Sequence, residues 1–251
     1  MEGRKVMNRL IAVFLLGSAT MLSGPALAKC GDSPKPGVDW SGCEKKLIVI
    51  SGSDMTGAKL TGANLTSTDL SGSRLQDAVL DEANLTYTSL KGAVMTGVSM
   101  HKTFGVRTNM SGVDASGGDL AYIEFYRGNF SGANFSGADL SRAGLPRADF
   151  TGANLSSANL AKIDVIRGAF DNADLTNANL TNAIVARASF KGARLAGSDW
   201  SGAYLYRTDL EGLDMSGVKG LTTAQVALAC GNDATKLPDG VSAPEKWFCE
   251  D

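Results

Sequence analysis

Taking every fifth residue from Ile50 to Met215, 32 of 34 positions are large and apolar, the exceptions being Gly105 and Ala115. Two residues before each, 28 of 34 hold Ala, Gly, Ser or Thr, and 17 of those are Ala. The residues between are mostly polar or glycine, and the phase never slips. A strand alternates with period two and a helix with period 3.6, so neither element fits. A period of five with one large and one small inward residue requires a chain that turns a corner every five residues. Four corners close a square coil of about 20 residues, and stacked coils rise by about 4.8 Å, the strand spacing. Residues 48–217 then form a rod of about eight and a half coils, roughly 40 Å long. Phe130, Phe150, Phe170 and Phe190 fall in one column and are read as core packing. Val98 and Val113, large for the small position, are read as compensating the underfilled axis near Gly105 and Ala115.

The motif Ala-(Asp/Asn)-Leu recurs as Ala63-Asn64-Leu65, Ala138-Asp139-Leu140, Ala153-Asn154-Leu155 and Ala178-Asn179-Leu180. It resembles the pentapeptide-repeat family over about two thirds of the chain. The resemblance implies an all-β, right-handed quadrilateral β-helix, the handedness coming from the family alone. It also brings in an alternative role, the cytoplasmic DNA mimic by which some members protect topoisomerase, beside the leading reading of a non-enzymatic structural or interaction scaffold that follows from the repeat together with the leader and cysteines described below.

Open rod ends are exposed sheet edges and need caps. Thr222 and Gln225 make a T-x-x-Q capping box before Val226-Ala227-Leu228-Ala229, so a short helix is expected to close the C-terminal end within 218–251. The following stretch from Cys230 to Val241 is similar to the C-terminal tails of bacterial pentapeptide-repeat proteins. At the other end Val38 and Trp40 are in phase but Lys45 breaks it, and 29–47 reads as an N-terminal cap.

Residues 1–28 read as a leader. Arg4, Lys5 and Arg9 precede the apolar run from Leu10 to Leu16, and Ala26-Leu27-Ala28 offers a cleavage site near Ala28. Met7 is an alternative start, since a complete leader lies between it and Ala28. The expected location is therefore periplasmic or secreted, with no transmembrane segment after cleavage. Lys29 before Cys30 argues against lipidation. The mature chain would carry 21 Lys and Arg against 25 Asp and Glu, a mild net charge that names no partner. All four cysteines flank the repeat. Four cysteines allow three connectivities, and Cys30–Cys43 with Cys230–Cys249 is favoured because each closes a short loop and the two ends of a rod cannot meet.

Catalytic chemistry has little to work with. His101 is the only histidine, there is no C-x-x-C, and no nucleophile–base pair is visible, so neither an enzyme, a cofactor nor a metal is expected. Folding the sequence at period 20 is more informative. One column two places after the large residue reads almost entirely Gly, from Gly52 to Gly212. Its counterpart reads Ser67, Tyr87, Arg107, Arg127, Arg147, Arg167, Arg187, Arg207. The neighbouring corner holds Lys102, Tyr122, Arg142 and Lys162, and all five tyrosines (Tyr87, Tyr122, Tyr126, Tyr204, Tyr206) fall on this side. Two readings stand at this point. Glu124, Asp149, Asp164 and Asp209 could neutralise the arginines, with guanidinium planes stacked on tyrosine. Alternatively the side binds an acidic partner: a protein face, an acidic polysaccharide or lipid phosphates, with no nucleic acid expected.

Overall fold

The computed structural model describes residues 30–249. The leader expected over 1–28 lies outside them. Parallel β-bridges join residues twenty apart along nearly the whole length, from Asp39 with Lys59 to Asp199 with Lys219. Each side of the coil contributes one bridging residue, and each corner is a turn. At most corners the carbonyl of the large residue accepts from the N–H three residues on, as in Ala58 N–H to Met55 O at 3.0 Å. The third residue of the turn has φ near +60°, which a type II turn demands and which explains the glycine columns.

The bridging residue is usually Asp or Asn for a reason visible in the turns. Its side-chain oxygen accepts from the backbone N–H two residues on, closing the corner from outside: Asp54 from Thr56 at 3.1 Å, Asp199 from Ser201 at 2.9 Å, Asp214 from Ser216 at 3.1 Å. The carboxylates of Asp54, Asp199 and Asp214 are held below the usual Asp range, first by the hydroxyl of the same Thr or Ser and then by that N–H, with Lys236 coming between the two for Asp214. In Asp214, which Lys236 also contacts at 3.0 Å, the value falls to about 2.

The large residues fill the axis. Rings of Phe130, Phe150, Phe170 and Phe190 stack at 4.7, 5.0 and 4.7 Å within 8° of parallel, so ring spacing matches coil spacing. Where the small position is Thr, its hydroxyl donates to a backbone carbonyl of the coil before, as Thr88 to Leu65 O at 2.7 Å. Val98 is accommodated by Gly118, one coil on, where a Cβ would lie 3.0 Å from the valine methyl.

The hydrogen-bonded coil starts within the segment expected to be a separate cap. Gly37 N–H donates to Thr56 O, Trp40 N–H to Lys59 O, and Val38, Trp40 and Cys43 are buried. Lys45 is tolerated at an inward position because it ends the axis, its ammonium lying 3.9 Å from the centre of the Trp40 ring. Cys30 and Cys43 form one disulfide and Cys230 and Cys249 the other.

At the far end, α1 (Thr223–Val226) starts on Thr222, which shares a capping box with Gln225. The Gln225 amide also donates to Trp200 O at 2.9 Å and Ala203 O at 2.8 Å, tying the helix to carbonyls at the end of the rod. Among the described residues no helix is long and apolar enough to cross a membrane.

Candidate functional site, a face bounded by arginines and aromatics

One side of the rod departs from the repeat's rules. In the left-handed corner positions the fold is served by Gly, or by the small side chains that tolerate positive φ. On two corners those are what occur, with Asn172, Asn177, Ser157 and Asp77 as the substitutes. The other two corners bound a single face and carry long side chains at the same φ. Arg107, Arg127, Arg147, Arg167, Arg187 and Arg207 have φ between 53° and 61°, and Lys102, Tyr122, Arg142 and Lys162 lie between 56° and 60°. All ten are exposed. Successive coils therefore set the arginines in a row with a step of about 4.8 Å.

Among the described residues no carboxylate pairs with this row. The ion pairs among the described residues are Lys35–Asp32, Lys46–Glu44, Arg194–Asp174 and Lys236–Asp214, and none includes an arginine of the row. Of the acids near it in sequence, Asp149, Asp164 and Asp209 turn an oxygen back onto their own corner, accepting from Thr151 N–H at 2.9 Å, Ile166 N–H at 3.2 Å and Glu211 N–H at 3.0 Å. Glu245 makes no ion pair among the described residues, and Glu250 and Asp251 lie outside them. The stacking half of that reading is realised in part. Arg127 lies 5.2 Å from the ring centre of Tyr126, Arg142 5.6 Å from that of Tyr122, and Arg187 5.9 Å from that of Tyr206. Among the described residues Arg147 and Arg167 make no such contact. At the C-terminal end Phe248, next to Cys249 of the disulfide, packs on Tyr206 at 5.3 Å and under Arg207 at 5.8 Å. His101 meets Tyr122 edge-on at 5.1 Å and serves as an outward partner for that ring.

The sequence reading identified the corners but missed what lies between them. Two short strands, β1 (Phe104–Val106) and β2 (Glu124–Tyr126), pair in parallel here, with Gly105 opposite Phe125. Extended backbone runs through these two axis positions, and Phe104, Val106, Glu124 and Tyr126 stand outward. With Tyr87, Tyr122, Ile166, Ile184 and Tyr204, the side chains of Phe104, Val106 and Tyr126 account for most of the large apolar ones exposed on the rod. The signal was available: Phe104, Ile184 and Tyr204 occupy a bridging column that elsewhere holds Asn, Asp or Glu, and Gly at Gly144. Beside the strands lies a depression of about 800 Å³ around Gly144. No group of acidic, histidine or cysteine side chains among the described residues is arranged to hold a metal ion.

Comparison with known proteins bears on the scaffold. No curated protein matches the chain. Among solved structures, the chain is similar to HetL, a pentapeptide repeat protein involved in heterocyst differentiation regulation in the cyanobacterium Nostoc sp. strain PCC 7120. The TM-score is 0.56 at 24% identity, over 75% of this chain and 91% of that one. It is also similar to a trypsin-treated variant of QnrB1, a plasmid-mediated fluoroquinolone resistance protein, with TM-score 0.59 at 17% identity over 76% and 92%. At these identities the likeness concerns the fold alone. The model of pentapeptide repeats matches in eight copies across 49–104 and 108–219. Proteins of that repeat fold as right-handed quadrilateral β-helices, and the square coil, its five-residue period and this match together place the chain in the pentapeptide-repeat family.

Proposed function

We propose that this protein is an interaction scaffold that works outside the cytoplasm, in the periplasm or beyond, and holds an acidic partner along its arginine and tyrosine face. Pentapeptide-repeat proteins are generally non-enzymatic structural or interaction proteins, and no catalytic family matches. The leader pattern over residues 1–28 and the two disulfides support the location, since disulfides persist in oxidising compartments.

One observation carries the binding role. Six arginines occupy left-handed corners that the fold would fill better with glycine, and none of the six is paired with a carboxylate among the described residues. Placing a long side chain at φ near +60° costs about 1–2 kcal/mol. Folding does not recover that at Arg147 or Arg167, so their presence is explained by something they meet. Unpaired guanidinium groups beside tyrosine form the chemistry enriched at binding hot spots.

The test is retention on immobilised heparin at low salt. The triple variant Arg147→Ser, Arg167→Ser, Arg187→Ser is expected to elute earlier than the native rod, and equal retention would refute the binding role. A full-length product with free thiols in the cytosol would refute the location. The DNA-mimic role known in the family is the weaker reading for this chain. It calls for ordered rows of free carboxylates, whereas Asp54, Asp149, Asp199, Asp209 and Asp214 are engaged in closing corners and the charged rows at the left-handed corners are cationic.

A further inference from the structure

The depression at Gly144 is not something the fold requires. Gly144 has no left-handed φ, and a Cβ added there would meet nothing nearer than Glu124 Cγ at 3.9 Å. The bridging column to which it belongs otherwise bears a side chain from Glu44 to Tyr204. Leaving it bare opens about 800 Å³ between two rows of cations.

The lining combines three chemistries. Phe104, Tyr122, Tyr126 and Pro146 give apolar walls, and the three rings are 44%, 41% and 40% exposed. Glu124 and Asp164 flank Gly144 one coil to either side. The Glu124 carboxylate accepts no hydrogen bond among the described residues, and Asp164 spends one oxygen on Ile166 N–H. Lys102 and Arg142 stand on one rim, and the arginine row runs along the corner beyond Tyr126.

We infer that this face binds a linear glycan carrying carboxylate groups, a uronate polymer laid along the rod axis with one sugar seated over Gly144. The inference rests on the acidic-partner reading and narrows it. A pyranose ring offers an apolar C–H face for Tyr122 and Tyr126, hydroxyl donors for Glu124 and Asp164, and a carboxylate for Arg142. An inorganic polyanion has neither C–H faces nor hydroxyl donors, and the two floor carboxylates repel it. An acidic peptide strand lying along the axis repeats its same-face side chains at about 6.6 Å, out of step with a row at about 4.8 Å. An extended glycan with a two-fold screw advances by roughly one strand spacing per sugar and turns successive sugars over, so its same-face carboxylates recur at about 9.6 Å and meet every second rung of the row. From Arg107 to Arg207 the row is about 24 Å long, room for several sugars.

The experiment compares native protein, Gly144→Gln, Tyr122→Ala/Tyr126→Ala and the triple arginine-to-serine variant. Each is titrated by calorimetry with polygalacturonate, dextran sulfate, neutral dextran and an oligothymidylate, after far-UV circular dichroism has verified the coil. Gly144→Gln places a side chain where space is open and φ is ordinary, so it keeps the fold. Expected are polygalacturonate binding that weakens about tenfold in Gly144→Gln and in the tyrosine variant, dextran sulfate binding that responds only to the arginine changes, and no binding of dextran. Equal polygalacturonate binding by native protein and Gly144→Gln overturns the glycan site and leaves the acidic-partner reading intact. Failure of both anionic polymers to bind overturns both. Oligothymidylate binding tighter than polygalacturonate and abolished by Gly144→Gln overturns the glycan in favour of single-stranded nucleic acid.

Discussion

Replacing Arg147 and Arg167 together with glycine should make the protein more stable. Both residues hold left-handed backbone, at φ of 61° and 60°. Among the described residues neither side chain has an ion pair, a hydrogen bond or an aromatic partner. For an L-residue that conformation costs about 1–2 kcal/mol. Glycine removes the cost but loosens the unfolded chain, returning about 0.4–1 kcal/mol. Removing two adjacent cations adds a few tenths through relieved repulsion, most of it screened at the surface. The balance is about 1–2 kcal/mol in favour of the double glycine variant. For a chain of this size that is a rise in Tm of roughly 3–6 °C, measurable by scanning calorimetry. Two controls separate the causes. Arg147→Ser/Arg167→Ser removes the charges while keeping the strained backbone, and should gain little. Gly152→Ala, at φ of 67°, imposes the same strain where the native chain has none and should lose about 1 kcal/mol. A double glycine variant no more stable than the native protein would refute the reasoning. It would mean that the arginines contribute to folding, and the main argument for a binding face would go with it.

Two further outcomes follow from the core and the corners. Phe150→Ala removes a ring stacked on Phe130 at 4.7 Å and Phe170 at 5.0 Å, and should cost about 3–5 kcal/mol, seen as a drop in Tm of about 10 °C or more; a drop of a degree or two would mean the column repacks. The lowered carboxylates make the rod acid-sensitive in a defined window. Because the folded pKa values of Asp54, Asp199 and Asp214 lie below the unfolded value of about 3.9, their stabilisation is complete above that value and is lost as pH falls through the folded ones, about 2 for Asp214. The urea midpoint should therefore be lower at pH 2.5 than at pH 6, and an unchanged midpoint would contradict the role given to the corner carboxylates.

The scaffold was legible because a period of five admits one geometry. Once Phe130, Phe150 and Phe170 are assigned to one column, their stacking follows without knowledge of any other contact. The arginine corner was legible for the same reason. What the period could not give was side-chain direction. Asp149 and Asp209 lie near arginines in coil register, yet their oxygens bond to Thr151 and Glu211 of their own turns, a choice set by local backbone and invisible to column counting. The depression was missed because it depends on a side chain that is absent, at Gly144, and on the extended backbone through Gly105 and Phe125, whereas attention to left-handed positions selects only the corners. The first coil was missed because Lys45 looks like a break in phase, and only the Trp40 ring beneath its ammonium shows how an axis can end on a lysine.

The position of Phe248 gives the rod a direction. A row of identical rungs is symmetric to anything that slides along it, and a long thread could overrun either end. Here the C-terminal segment, fastened by Cys230 and Cys249, folds Phe248 over Tyr206 and Arg207, while toward the N-terminus the same row tapers through Tyr87 and Ser67 to Leu47, where no aromatic ring among the described residues is laid across it. Among the described residues the row is therefore covered at its C-terminal end and uncovered toward its first coils. For the glycan proposed above, Phe248 is a stop at that end, and the disulfide that secures the cap also secures the stop.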